Sequence, residues 1–390
     1  MITFKISAPG RIILSGEHTV MYGKKVVAAG IDLRTMLNFY ETTSSGIIEI
    51  DFPDVGLLIN IPLEHIQNFI SSSEYNNIIN DNILFLRHIQ YFITLNGMWR
   101  TYPQRFSIQT FFFLLLFIAH HEALDIKPCY VRLTTQLKMG AGLGSSTSFA
   151  VCLAAGFLHW ARLQKGGHIA FNNQDLEIIS EYAMHCEEVI QNYLFNIDHD
   201  VCTFGRGIIF QYKELLNGSF TPIDVPEMNI LLIDSNICQH KGELIRQVAE
   251  AKHLYDNAVD RIFDTIDNIS QEVATALREI GNCHRNNNLQ RLHNLYEALQ
   301  INITLNQDML HHLNLSNQNF DIICTIAKAH GFAGKLTGVG ARYVLILLPP
   351  NTLIERTTVF CQQLRSLGFN FYTTKICCSG VRFDELSYAG

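Results

Sequence analysis

Charge is scarce in this chain: only 17% of its 390 residues are Asp, Glu, Lys or Arg, the formal net charge is -7, and no stretch is broadly basic. A protein that held nucleic acid would need a positive face to displace counterions, so nucleic acid is excluded as the main partner. A small anionic ligand stays open if positive groups gather locally. Long apolar runs are also missing. The most apolar stretch, Phe111 through Ile118, is bounded by Arg105 and His120-His121-Glu122. It falls far short of the roughly 20 residues a membrane span needs, and reads as a buried helix. The ten cysteines include no Cys-x-x-Cys pair. That removes the usual zinc and thioredoxin-like motifs and fits reduced thiols. Met1 through Ser7 has the pattern of a short strand stopped by Pro9-Gly10, without a signal peptide's apolar core and cleavage site, so the expectation is a cytoplasmic protein.

What the chain does have is apolar residues, 48% of the total, enough for two cores. The first half mixes signals. Lys5–Ser7, Ile12–Ser15, Val26–Ile31, Met36–Glu41 and Ile48–Asp51 have strand patterns broken by glycine, whereas Ser146–Leu163 and Leu176–Gln191 have helical spacing. Strand character is expected again from Val201 to Tyr212. A loop at Leu216-Asn217-Gly218-Ser219 with Pro222 and Pro226 marks the expected boundary between a domain of residues 1–225 and one of 226–390. Beyond it come a strand at Ile230–Ile233, long polar helices across Gly242–Leu313, a helix at Asn319–Ala329, and strands at Tyr343–Leu348 and Phe369–Thr373. Helices and strands mixed in this way predict an α+β fold in two layers.

The most informative segment is Lys138-Met139-Gly140-Ala141-Gly142-Leu143-Gly144-Ser145-Ser146. Its alternate glycines permit positive φ and close approach of main chain to an anion. It leads into an apolar helix whose free N–H groups and dipole favour a phosphate, with Ser145 or Ser146 expected as the cap. Its spacing is neither that of a P-loop nor that of the dinucleotide fingerprint. Taken alone, the same turn also suits a plain strand-to-helix connection.

Other residues could join it. Ala8-Pro9-Gly10-Arg11 sets a cation beside a turn, and Gly16-Glu17-His18 sets an acid and a histidine beside another. Glu187 lies on the second helix and Asp198 just beyond it, at the expected entrance to a strand. Phosphoryl transfer calls for one carboxylate to hold Mg²⁺ against phosphates and another to take the alcohol's proton. Glu188 and Asp200 compete for those tasks on spacing alone. Gly334-Lys335-Leu336-Thr337-Gly338-Val339-Gly340 reads either as a flexible turn or as a backbone anion nest.

In order along nearly the whole chain, these segments resemble the galactokinase, homoserine kinase, mevalonate kinase and phosphomevalonate kinase superfamily, and within it the mevalonate kinases. The resemblance rests on Pro9-Gly10-Arg11 through Gly16-Glu17-His18-Thr19-Val20, on Gly140 through Ser146, and on Lys335-Leu336-Thr337-Gly338. It implies an N-terminal domain with a left-handed βαβ crossover, a ferredoxin-like C-terminal domain and an active site in the cleft between them. It implies ATP and Mg²⁺, with Lys138, Gly140, Ala141, Gly142, Leu143, Gly144, Ser145 and Ser146 holding the nucleotide. Ser146 and Glu187 would hold the metal, Asp198 and Arg11 would be catalytic, and Glu17, His18, Thr337 and Gly338 would bind mevalonate, phosphorylated at its primary alcohol. A homodimer and feedback inhibition by farnesyl or geranyl diphosphate are implied as well.

The sequence departs from the family pattern in three places. Arg11 stands where mevalonate kinases usually have lysine, Tyr193-Leu194-Phe195-Asn196 replaces a turn before the catalytic acid, and the third glycine run shrinks to Gly338-Val339-Gly340-Ala341-Arg342-Tyr343. A galactokinase-like sugar kinase and a catalytically silent nucleotide- or isoprenoid-binding relative are the alternatives.

Overall fold

Two long strands organise the first half of the chain. The computed structural model describes residues 1–43, 46–71, 75–191, 197–213 and 216–385, the side chains of 76, 212–213 and 216–220 apart. The segments expected as separate strands merge: β1 runs Thr3–Ser15 and β2 runs Lys25–Glu41, antiparallel to each other. Pro9-Gly10 does not stop β1. The register shifts there through a bulge, one of the few strand positions that tolerates proline.

The strands that follow are β3 (Ile47–Phe52), β4 (Leu57–Pro62), β5 (Cys129–Thr135), β6 (Gly207–Lys213), β7 (Leu216–Ile223), β8 (Met228–Asp234), β9 (Gly334–Leu336), β10 (Tyr343–Leu347), β11 (Asn370–Ile376) and β12 (Arg382–Phe383). The helices are α1 (Leu63–Ile70), α2 (Tyr75–Ile78), α3 (Asn82–Leu95), α4 (Tyr102–His121), α5 (Ser145–Lys165), α6 (Asn173–Gln191), α7 (Ile197–Phe204), α8 (Lys241–Leu254), α9 (Asp256–Arg285), α10 (Leu289–His312), α11 (Gln318–Ala329) and α12 (Ile354–Ser366). The fold is α+β, as expected. One sheet runs β4-β3-β5-β2-β11-β8-β10-β9 and joins the two halves where Ile376 pairs with Ile31. The last described strand, β12, returns to pair with β1.

Two local expectations are corrected. Val201–Phe204 is helix, not strand: Ile197 and Val201, four apart, bury one face of α7, and a period-two reading of so short an apolar stretch misses that. Left-handed Gly205 and Arg206 then release the chain into β6. Leu216–Ser219 is the start of β7 rather than a loop, because pairing with β6 outweighs its turn-like composition. The Tyr193–Asn196 segment lies outside the described residues.

Packing fixes where the site can form. A capping box of Thr101 and Gln104 starts α4, whose Phe111, Phe112 and Phe113 are wholly buried, each contributing about 2 kcal/mol of burial. Helix α5 lies flat on β2: a β-carbon at Gly156 would come within 2.2 Å of Leu37 Cδ2. That contact aims the N-terminus of α5 at the bulge in β1. In the second half, β8 is buried on both faces, Ile230 and Leu232 against α9 and α10, Leu231 and Ile233 against α8, α11 and α12. The stripe Phe263, Ile266, Val273, Leu277 and Ile280 makes α9 amphipathic. Among the described residues no helix is long and apolar enough to cross a membrane.

Candidate active site

The bulge in β1 brings Arg11 directly under the glycine loop. Its backbone N–H donates to Leu143 O at 2.9 Å. Gly144, at φ 72°, occupies the N-cap of α5, and a β-carbon there would sit 3.3 Å from Arg11 Cβ. The position therefore requires glycine for both its conformation and its closeness. The expected serine cap is absent: no side chain caps α5, because the left-handed Gly144 takes that position. The first N–H groups of the helix face the cleft without a side-chain acceptor, as an anion site requires.

The first turn of α7 supplies Asp198. Its carboxylate and the Arg11 guanidinium form an ion pair in which both side chains are almost fully buried. Arg11 also points Nη1 toward Gly142 O at 3.5 Å. A cleft of about 660 Å³ opens beside the pair, lined by Arg11, Asp198, Gly140, Gly142, Gly144, Ser145, Ser146, Thr147, Glu187 and Lys241. Its opposite wall is apolar, made by Phe52, Val55, Pro103, Phe106, Met139 and Phe149.

Glu187 is buried at the edge of the cleft. Thr147 Oγ1 and His199 Nε2 donate to its Oε2 at 2.8 and 2.7 Å, and Gln191 Nε2 donates to its Oε1 at 2.8 Å. Burial by itself would raise the Glu187 pKa. The hydrogen bonds from His199, Ser146 and Thr147 outweigh it and hold the carboxyl below its ordinary value. The competing acids are set apart: Glu188 is exposed, and Asp200 accepts from Ser180 Oγ at 2.9 Å.

Glu17 is brought elsewhere. It is fully buried in an ion pair with Lys335, and it accepts from Asn306 Nδ2 at 3.0 Å. Asn306 in turn accepts from Ser15 Oγ at 2.9 Å. His18 follows in a left-handed conformation, φ 68°, and its buried Nδ1 has no hydrogen-bond partner among the described residues. Burial, together with the charges of Lys241 and Lys335, lowers its pKa to about 4, so it is neutral. Thr337 is buried and its carbonyl accepts from Ile13 N at 2.9 Å, while a β-carbon at Gly338 would lie 3.1 Å from Arg11 Nη1. Ala141 and Leu143 are buried under the loop as its support, and Lys138 extends toward Asp234 at 3.8 Å rather than into the cleft.

Sequence reasoning missed Lys241, Thr147 and His199. Lys241 begins α8 and its pKa is lowered, by desolvation and by Arg11, against the opposing pull of Asp198 and Glu187. No spacing rule marks it. His199 was visible only as the middle of Asp198-His199-Asp200, a run that equally suits a polar turn.

No protein-family model matches the chain. Over 408 residues it is 28% identical to the mevalonate kinase of Dictyostelium discoideum, covering 98% of this chain and 97% of that protein. The chain is a homologue of mevalonate kinases. The mevalonate kinase of Methanococcus jannaschii has the same fold, with a TM-score of 0.68 at 19% identity over 98% of this chain and 99% of its own. L. major mevalonate kinase, solved in complex with R-mevalonate, superposes with a TM-score of 0.64 at 16% identity, covering 96% of each chain. At such identities the mevalonate kinase structures speak to the fold, and the chemistry of the cleft has to be read from its own residues.

Proposed function

We propose that the cleft transfers the γ-phosphoryl group of ATP to the primary alcohol of (R)-mevalonate, giving 5-phosphomevalonate and ADP. The observation that carries this reading is the buried Arg11–Asp198 pair set directly under a glycine loop and an uncapped helix N-terminus. The loop amides and the start of α5 hold the phosphates, and the apolar wall suits the base. Asp198 orients the alcohol and takes its proton as the new O–P bond forms, and Arg11 keeps that carboxylate ionised. Arg11 and Lys241 offset charge on the moving phosphoryl group. His18 meets the substrate as a neutral hydrogen-bonding group.

The residues also fit Mg²⁺. Ser146 and Glu187 supply hard oxygen donors side by side, and a magnesium ion commonly takes one or two carboxylates plus substrate phosphates. Among the described residues no cluster of three or more His, Cys, Asp or Glu is present. When bound, it supplies charge neutralisation between the phosphates.

On family likeness the reading extends to a cytoplasmic homodimer of two-lobed chains, residues 1–225 and 226–390. Farnesyl or geranyl diphosphate would compete for the loop amides. The sugar-kinase reading is disfavoured by Val20, which stands where a galactokinase-like chain is expected to carry its sugar-binding aspartate. Phosphorus NMR of a reaction with ATP, Mg²⁺ and either mevalonate or galactose tests the proposal. A phosphomonoester signal with mevalonate alone supports it, and a signal with galactose alone, or with neither, rejects it.

A further inference from the structure

The third glycine segment is shortened in this chain, and side chains stand where an anion nest was expected. Arg342 is the most prominent of them. It does not line the cleft. Its Nε donates to both oxygens of Asp234, at 2.8 and 2.9 Å. Its backbone N–H donates to Ala141 O at 3.2 Å, and its carbonyl accepts from Ser235 N at 3.0 Å and Ser235 Oγ at 2.7 Å. The Asp234 carboxylate also accepts from Asn236 N at 2.8 Å and faces Lys138 Nζ at 3.8 Å.

Lys138 and Ala141 both belong to the first glycine loop, whereas Asp234, Ser235 and Arg342 belong to the second half of the chain. The two segments also touch main chain to main chain, since a β-carbon at Gly142 would lie 3.0 Å from Ala341 Cα. A glycine-rich loop has little rigidity of its own, because each glycine loses more freedom on ordering than any other residue. What holds it in a phosphate-binding shape must come from outside the loop.

We propose that Asp234 and Arg342 form a strap that fixes the glycine loop in its anion-binding shape, and that Arg342 is a positioning residue for nucleotide rather than a phosphate ligand. The proposal rests on the reading of the loop as the ATP site. The Asp234 side chain is 8% exposed and that of Arg342 20%, so the pair is less screened than an ordinary surface ion pair. Loss of the strap costs the loop its preorganisation, and the cost falls on nucleotide affinity alone.

The test compares the parent protein with Asp234→Asn, Arg342→Met and the exchanged double variant Asp234→Arg/Arg342→Asp. Dissociation constants for a non-hydrolysable ATP analogue are measured alongside initial rates with ATP and mevalonate. Each single variant should raise Kd and KM for nucleotide roughly tenfold, as expected for losing one charge-assisted hydrogen-bonded pair. KM for mevalonate and kcat should stay close to the parent values. The exchanged pair should recover most of the lost affinity, a rescue that a direct phosphate contact by Arg342 could not give. Unchanged nucleotide affinity in Asp234→Asn overturns the strap. A loss in Arg342→Met without a matching loss in Asp234→Asn does so as well, by making Arg342 a ligand. A parent protein that binds no nucleotide overturns the ATP-site reading and the strap together, whereas the first two results leave that reading standing.

Discussion

Arg11 and Asp198, 187 positions apart in sequence, close a buried ion pair beneath the N-terminus of α5. Neither charge has much contact with water, so each depends on the other. Arg11→Met should therefore raise the Asp198 pKa as well as remove a cation from the phosphate path. The expected result is a kcat lower by roughly a hundredfold or more, with the acidic limb of the kcat/KM profile moved to higher pH. Arg11→Lys keeps the charge and should retain that limb. A pH–rate series on the two variants checks both statements.

Glu187 depends on its donors in the same way. His199 Nε2 at 2.7 Å and Thr147 Oγ1 at 2.8 Å both fix Oε2, and Gln191 Nε2, at the end of α6, holds Oε1 at 2.8 Å. His199→Ala should weaken metal binding roughly 10–100-fold, the usual cost of removing a group that orients a ligand. Mn²⁺ titration in the presence of nucleotide, followed by electron paramagnetic resonance, reads this without recourse to turnover.

The Lys335–Glu17 pair is fully buried and should matter for stability. Lys335→Met leaves a carboxylate enclosed beside Asn306, at a cost of about 3–5 kcal/mol. Adding Glu17→Gln should return part of that loss. Urea unfolding of the single and double variants gives the comparison, and additive losses would show that the two charges do not depend on one another.

Much of the site was legible because its signals are local. Alternating glycines before an apolar helix mark the loop proposed to hold the phosphates, and Arg11, Glu187 and Asp198 lie in segments whose order the family likeness gives. What stayed hidden depends on contacts distant in sequence. The family likeness implies a substrate role for Glu17, and nothing local in the sequence shows its pairing with Lys335, 318 positions away. Arg342 stands in the shortened third glycine segment with no partner nearby in sequence, and Asp234, 108 positions back, is the acid it bonds. Val201–Phe204, the second half of α7, reads as strand because the apolar stretch is too brief for period to decide between the two.

Acid should destabilise the protein. Burial and the charges of Lys241 and Lys335 hold His18 down to about 4, and burial with the neighbouring His168 holds His159 down to about 3. Below the ordinary value of 6.5 the unfolded chain binds protons that the native state refuses. Stability is therefore complete above that pH and falls on acidification, by about 1.4 kcal/mol per pH unit for each histidine on the steep part of the curve. Asp200, pushed up to about 6 by burial, works in the opposite sense. Its stabilising share is present at low pH and is lost as pH rises through 6, so it offsets only one of the two histidines. The urea midpoint should drop between pH 7 and pH 5, and His159→Gln should flatten that slope.

The most direct measurement is a comparison of Asp198→Asn with the parent protein, reading nucleotide affinity and ADP release in the presence of mevalonate. Removing the proton acceptor while keeping its shape should leave the nucleotide Kd nearly unchanged and cut turnover by roughly a thousandfold. Turnover close to that of the parent would contradict the account, because the carboxylate beneath the glycine loop would then have no part in the reaction.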